Sequence, residues 1–157
     1  MSDPALSSQK QELLLSFYKH AVDEMTWRRN AGYRTIIIGL GYCSLLLAVV
    51  AFNHTMTWPL KICLASVMAI GTIFGSGYLA ANYSKYMTAA RKMVQIEEYV
   101  GALSPEFLGT LGALFPASRK NWPDTKLTQD LVPFLSIIAF LAGGLITAGA
   151  ILMIGGN

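Results

Sequence analysis

Hydrophobic residues are concentrated in three long runs, and charged residues fall almost entirely outside them. The runs cover residues 35–53, 60–83 and 131–154, and the one charged residue in any of them is Lys61, near an edge. Because about 20 apolar helical residues span the hydrocarbon core of a bilayer, each run predicts a transmembrane helix. The third run has two hydroxyl side chains, too few for the polar face of a soluble bundle helix. The pattern therefore predicts an all-α membrane protein with three transmembrane helices.

The second run continues beyond residue 83 as a pattern typical of one long helix. Neither Pro nor Gly occurs between residue 83 and Gly101. About forty residues of uninterrupted helix extend roughly 60 Å, about twice the thickness of the hydrocarbon core. We therefore expect this helix to leave the membrane, continue into water and end at Gly101.

Residues 1–34 predict an amphipathic helix. Apolar positions from Leu14 to Met25 recur at steps of three and four residues, which is typical of a helix that packs on another helix. Two starts fit the sequence: Pro4 as the first helical residue, or a capping box that begins at Ser8. The alternative is a helix lying flat on lipid. Its polar face carries as many acids as bases, which disfavours an anionic surface.

The segment after the long helix predicts a small helical layer. Ser104, followed by Pro and Glu, has the residue types of a helix start, and Pro116 ends that short helix. Residues 117–128 are polar and predict a loop that returns to the membrane. We expect residues 84–130 to pack with residues 1–34 as a cytoplasmic helical hairpin layer.

Positive charge determines the expected orientation. Eleven of the twelve Lys and Arg residues lie before the first run or between the second and third. By the positive-inside rule, residues 1–34 and 84–130 are cytoplasmic, residues 54–59 form an outer turn, and residues 155–157 form an outer tail. The charged start of the chain is unlike a cleaved signal peptide, so the first run is expected to stay as an anchor. Without a targeting sequence, we expect the bacterial inner membrane, with the N-terminus in the cytoplasm and the C-terminus outside.

Aromatic and basic residues flank the predicted spans. Trp suits the membrane interface, and Arg side chains can extend toward lipid headgroups. The expected interface anchors are Trp27, Arg28, Arg29, Arg34, Trp58 and Trp122.

Composition agrees with a membrane protein. The chain is 54% hydrophobic and 13% charged, whereas soluble domains are about 25% charged. The two cysteines, Cys43 and Cys63, lie in successive spans. A hairpin would offset them by roughly 10 Å along the membrane normal, too far for a disulfide. Apolar packing is the expected role of both.

Small residues in the second and third spans predict close helix packing. Glycine lets helix backbones approach each other in a bilayer. Packing within one chain and packing between copies remain equally open. The candidate helix-packing positions are Gly71, Gly75, Gly77, Gly143 and Gly144.

The water-exposed helices predict two levels of charge pairing. Counted from the membrane boundary, acids of one helix come level with bases of the other, either within one chain or between neighbouring copies. Exposed pairs are worth about 0–1 kcal/mol each, so their expected role is to set the register. The predicted pairs are Asp23 or Glu24 with Arg91 or Lys92, and Lys19 or His20 with Glu97 or Glu98.

The sequence does not indicate an enzymatic activity. Metal, phosphate-binding and nucleophile motifs are absent from it, and His20 and His54 are expected on opposite sides of the membrane. We therefore expect no catalytic residue, metal or cofactor. Apart from Lys61 near an edge the spans are uncharged, which also disfavours proton-coupled transport. The bases Arg119, Lys120 and Lys126 are interpreted as a topology signal, so no nucleic acid partner is expected.

Several short motifs occur in a characteristic order over most of residues 17–133. They are Tyr18 and Met25, then Arg28-Arg29-Asn30-Ala31, then Lys92-Met93-Val94-Gln95-Ile96-Glu97-Glu98, Phe107 with Leu114-Phe115, Lys120-Asn121-Trp122, and Leu131-Val132-Pro133. In this order and spacing the chain resembles the RipA-type small membrane proteins, which are described as octameric. More distantly, it resembles SLATT-like proteins, described as pore-forming effectors in bacterial defence. The apolar third run with its short tail departs from the family pattern.

The resemblance implies a ring-like homo-oligomer with cytoplasmic helices. The expected function is a non-enzymatic scaffold or pore in the inner membrane. The expected partners are other copies of the chain and membrane lipids. Two alternatives stay open: a membrane-disrupting defence effector triggered by a partner protein, and an accessory subunit of a larger membrane complex.

Overall fold

The computed structural model describes residues 4–53, 56–104, 113–124 and 126–154, which form three α-helices and one 3-10 helix. The α-helices are α1 (Pro4–Phe52), α2 (Trp58–Tyr99) and α3 (Leu131–Met153), and the 3-10 helix covers Ala117–Asp124. Each α-helix is long and apolar enough to cross a membrane. An all-α fold with three helices of membrane-spanning length is therefore confirmed for these residues.

Helix α1 joins the amphipathic segment and the first predicted span in one helix of 49 residues. It begins at Pro4 rather than at the Ser8 capping box. Proline suits a helix start because its ring fixes φ and its missing N–H would have no intrahelical partner there.

Helix α2 is the predicted long helix, with 42 residues. It begins within the predicted outer turn, because Pro59 is tolerated in a first helical turn. At its other end Gly101 has a φ of 79°. The Ala102 N–H donates to the Glu97 carbonyl at 2.9 Å, and the Gly101 N–H donates to the Glu98 carbonyl at 3.0 Å. These two bonds form a Schellman motif, so Gly101 ends the helix as expected.

The segment between α2 and α3 differs from the prediction. Residues 117–124 are 3-10 helix, so the predicted loop is wrong there. Of the short helix predicted from Ser104 to Pro116, residues 105–112 lie outside the described part, and residues 113–116 are not helical.

The chain divides into two compact units, to which both α1 and α2 contribute. Unit 1 comprises Met1–Arg29 and Ser84–Lys126, and unit 2 comprises Asn30–Tyr83 and Leu127–Asn157. In unit 1 the buried residues include several alanines, which allow α1 and α2 to pack closely. Among the described residues of unit 1, the buried apolar ones are Ala21, Met87, Ala89, Ala90, Met93, Val94 and Ala102.

Unit 2 has an apolar core to which α1, α2 and α3 all contribute. The largest side chains that are fully buried are Val50 and Ile151. Charged side chains are scarce in this unit, and the core cluster consists of Cys43, Val50, Ala65, Met68, Ala148 and Ile151.

Candidate functional site

In unit 2, three glycines provide the space in which helices approach each other. The ring of Phe140 on α3 fills a notch formed by Gly39 and Gly75. A Cβ atom at Gly75 would lie 2.8 Å from that ring, and one at Gly39 would overlap it. Likewise, a Cβ atom at Gly144 would lie 2.8 Å from the Thr72 Cβ atom. The absence of side chains at these positions is therefore what allows this packing.

The predicted packing glycines fall into two groups. Gly75 and Gly144 pack within the chain, and Gly143 would place a Cβ atom 3.7 Å from Leu40, an ordinary contact. A Cβ atom at Gly71 or Gly77 would meet no described atom within 4 Å. Packing inside one chain thus accounts for part of the predicted set, whereas Gly71 and Gly77 serve no such contact.

Two polar contacts join elements of unit 2. Lys61 on α2 is buried, and its Nζ donates to the carbonyl oxygen of Ile154 at 2.6 Å. A cation at a helix C-terminus is favourable because unpaired carbonyls and the helix dipole place negative charge there. The Tyr83 hydroxyl donates to Asp130 Oδ2 at 3.1 Å. Asp130 is the N-cap residue of α3 but makes no capping bond with its side chain.

The most elaborate polar cluster lies in unit 1 around Glu97. Arg119 of the 3-10 helix donates two bonds to the Glu97 carboxylate, Nε to Oε2 at 2.6 Å and a terminal nitrogen to Oε1 at 2.9 Å. Tyr18 of α1 donates its hydroxyl to the same Oε1 at 3.1 Å. The Glu97 side chain is 2% exposed and that of Arg119 is 27% exposed. Burial weakens screening by water, so this bidentate pair is a strong polar contact.

Aromatic rings surround the Arg119 guanidinium. Its central carbon lies 4.4 Å from the Phe115 ring centroid and 5.8 Å from that of Trp122. Trp122 in turn meets Tyr86 of α2 edge-on, with 6.2 Å between centroids. Cations are attracted to aromatic faces, so the rings and Glu97 hold the 3-10 helix against α2 together.

The cluster shifts two pKa values. Burial raises the pKa of Tyr18, and its bond to the Glu97 carboxylate raises it further, since a phenolate beside a carboxylate is unfavourable. The pKa of Arg119 is also raised, chiefly by its bond to Glu97. Both shifts favour the protonation states in which the two side chains donate to Glu97, the neutral phenol of Tyr18 and the charged guanidinium of Arg119.

Within one chain, four residues of the predicted charge pairs have other partners. Glu97 pairs with Arg119, Glu98 with Lys120 at 2.6 Å, and Arg91 with Asp124 at 3.2 Å. Glu24 pairs with Arg28, four residues along its own helix. The acids of α2 therefore form their ion pairs with the 3-10 helix, whereas α1 contributes the Tyr18 hydroxyl to Glu97.

The other four residues of the predicted pairs behave differently. In the part of the chain that the structure describes, Lys19, His20, Asp23 and Lys92 form no ion pair. All four are exposed. Their pairing with a neighbouring copy stays a prediction.

A groove runs between α1 and α2 of unit 1. Leu14, Phe17 and Glu24 line it from α1, and Lys92, Ile96 and Tyr99 line it from α2. The groove measures about 410 Å³ and is mostly apolar. The parts of α1 and α2 that the sequence predicts at the same height thus lie on either side of one groove. The acids and bases of the predicted pairs nevertheless form no ion pair across it in the described residues.

The predicted interface anchors are distributed over both units. Trp27 and Trp58 are 60% and 56% exposed, and Arg29 and Arg34 are also exposed. The Arg28 guanidinium lies 5.1 Å from the Trp27 ring centroid. Trp122 instead packs on Tyr86 within unit 1. Their role at a membrane interface stays a prediction.

Both cysteines are free thiols. Cys43 belongs to the core of unit 2, as expected, whereas Cys63 is exposed.

Among the described residues, no group of three or more His, Cys, Asp or Glu side chains could hold a metal ion.

Comparison with known proteins adds no relative. We found no matching protein-family model, no matching curated protein and no matching solved structure. The resemblance to the RipA-type proteins therefore stays a prediction that depends on the quoted motifs.

Proposed function

We propose that this chain is a non-enzymatic membrane protein that assembles with copies of itself into a ring-like scaffold or pore. In this proposal α1, α2 and α3 each cross a bacterial inner membrane, and the charged unit 1 belongs to the cytoplasm. Three helices of spanning length support the membrane part of the proposal. Eleven of the twelve Lys and Arg residues lie in the two segments that the proposal assigns to the cytoplasm, which supports this orientation.

One observation carries the assembly. Unit 1 contains most of the charged residues, yet its α1 segment exposes large apolar side chains. Leu13, Leu15 and Phe17 are 57%, 69% and 55% exposed. Leu13 and Phe17 share one face of α1 and Leu15 lies on the opposite face, so both faces of this segment offer exposed apolar surface for an interaction or a membrane contact. Within the described residues, Lys19 and Asp23 of the same segment form no ion pair, and such charges suit a polar protein partner better than lipid tails. Another copy of the same chain supplies such a partner without further components.

The mass of the purified protein in lipid nanodiscs tests the assembly. One chain has a mass of 17.1 kDa, and the proposal expects a single species at a fixed multiple of that mass. A species of one chain contradicts the proposal. A complex that contains a different protein in fixed ratio instead identifies an accessory subunit.

Conductance separates the two forms of the proposal. A ring with an open centre conducts ions when it is reconstituted in a planar bilayer, whereas a sealed scaffold does not. Depolarisation that appears only when a partner protein is present would instead identify a triggered effector.

A further inference from the structure

The segment of α1 in unit 1 has an outer face that no described part of the chain covers. Glu12, Leu15, Lys19 and Asp23 line one depression on this face at helical spacing. Asp23 lies two residues from the buried Ala21, which places the two side chains about 200° apart around the helix. The outer face therefore points away from α2 of its own chain.

The groove of unit 1 is complementary to this outer face. Phe17 and Tyr99 at the groove are 55% and 60% exposed, and Leu15 of the outer face is 69% exposed. Lys92 lies at the groove without an ion pair, and Asp23 lies on the outer face without one, within the described residues. Both surfaces thus present exposed apolar side chains, and Asp23 on the outer face is opposite in charge to Lys92 at the groove.

The two charges also lie at the same level along the helices. The hydrogen bond from Tyr18 to Glu97 sets those two residues side by side. Five residues further along α1 is Asp23, and five residues back along α2 is Lys92. Because the two helices run antiparallel at about 1.5 Å per residue, Asp23 and Lys92 are level. They do not meet within one chain because Asp23 faces outward.

A closed ring would bring these residues together between copies. Its copies are related by rotation about one axis, so equivalent residues share one height along that axis, and Asp23 of one copy is level with Lys92 of the next. We propose that the groove of unit 1 holds the outer face of α1 from a second copy. In this interface Asp23 pairs with the neighbour's Lys92, and Leu15 packs against the neighbour's Tyr99. This inference depends on the homo-oligomer of the proposed function and specifies its contact.

Cysteine cross-linking tests the contact directly. In a background with Cys43→Ala and Cys63→Ala, the pair Asp23→Cys with Lys92→Cys is expected to form disulfides between chains, seen as a ladder of multiples on a non-reducing gel. The register control is Asp23→Cys with Lys85→Cys. Lys85 is also exposed but lies about 10 Å, or two helical turns, nearer the start of α2 than Lys92, which puts it beyond disulfide reach.

The outcomes separate the contact from the assembly. A ladder from the first pair and none from the control supports the interface. If neither pair cross-links although the background protein keeps its multiple mass in nanodiscs, the interface is wrong and the oligomer stands. Disulfides that form only within a chain also overturn the inference. If the cysteine-free background protein has the mass of one chain in nanodiscs, both the inference and the proposed function are contradicted.

Charge reversal provides a second test that needs no new cysteines. Asp23→Lys alone and Lys92→Asp alone each place like charges at every interface, and we expect association to weaken about two- to fivefold per interface. Co-expression of the two single variants should restore assembly, because each chain then meets an opposite charge on its neighbours. Rescue only when both changes are in the same chain, with none on co-expression, indicates an in-chain pair and overturns the inference.

Discussion

Each of the two units of this chain is stabilised internally by a different kind of interaction. Unit 1 contains ten of the twelve Lys and Arg residues and eight of the nine Asp and Glu residues. It uses ion pairs to fix the 3-10 helix to α2. Unit 2 relies on close helix contacts, with Phe140 between two glycines and Thr72 against a third.

The difference follows from the solvent that each unit is proposed to face. In a bilayer, lipid is as apolar as a leucine side chain, so helices gain little from hiding apolar surface and depend on close packing. In water, segments outside the spans can use charges, although exposed ion pairs contribute little. We therefore expect unit 1 to be sensitive to loss of one buried charge and unit 2 to be sensitive to added volume.

The largest effect is expected from Arg119→Ala in unit 1. Removing one partner of a buried ion pair costs about 3–5 kcal/mol because the other charge is left unpaired. Arg119 is 27% exposed, so we expect a smaller effect: the free energy needed to open the 3-10 helix should fall by about 2–3 kcal/mol. Backbone hydrogen exchange in Ala117–Asp124 should accelerate about 30- to 150-fold.

The neighbouring residue provides a matched control for this prediction. Lys120 pairs with Glu98, but their side chains are 59% and 51% exposed. Lys120→Ala should therefore change exchange no more than about fivefold. Equal acceleration of exchange in the two variants would contradict the prediction, because the buried pair at Glu97 would then contribute no more than the exposed pair at Glu98.

The next effect is expected from Gly144→Ala in unit 2. The new methyl group would overlap Thr72 on the facing helix, and overpacking of this kind costs about 1–3 kcal/mol. The midpoint of thermal unfolding in mild detergent should fall. Gly149→Ala is the control on the same helix, because a Cβ atom there meets no described atom within 4 Å. A midpoint that falls equally in both variants would contradict the packing account of unit 2.

The smallest effect is expected from Tyr18→Phe, which removes one hydrogen bond to Glu97. We expect a loss of about 1 kcal/mol in the free energy of unfolding at neutral pH. The raised pKa of Tyr18 means that the folded state favours the neutral phenol. This contribution is therefore complete below the unfolded pKa of about 10 and is lost as pH rises through the higher folded-state value.

Unfolding measured in detergent at two pH values checks the sign. The difference between the parent protein and Tyr18→Phe should be present at pH 7 and should shrink above about pH 10. A difference that grows with pH would mean that Tyr18 stabilises the fold as a phenolate, contrary to the arrangement around Glu97.

Much of the fold could be predicted because its signals are local. The long apolar runs, the uninterrupted α2 and the stop at Gly101 follow from residue type and spacing alone. The 3-10 helix of residues 117–124 could not be predicted in this way, because its short polar sequence resembles a loop. Contacts of Arg119 and Trp122 with α2 hold it, and these depend on tertiary structure.

The charge pairs show where sequence reasoning stopped short. Counting levels from the membrane boundary brought the correct parts of α1 and α2 side by side, but it considered only these two helices as partners. A signal was present: the adjacent acids Glu97 and Glu98 and the adjacent bases Arg119 and Lys120 have the same separation of 22 residues. That matched spacing suggests paired contacts between α2 and the following segment.

The most direct test of the account is the location of the two chain ends, because three membrane crossings put them on opposite sides. Reporter domains fused to each terminus and expressed in a bacterium should show the N-terminus in the cytoplasm and the C-terminus outside. Both ends on the same side, or a chain that stays in solution without detergent, would contradict it.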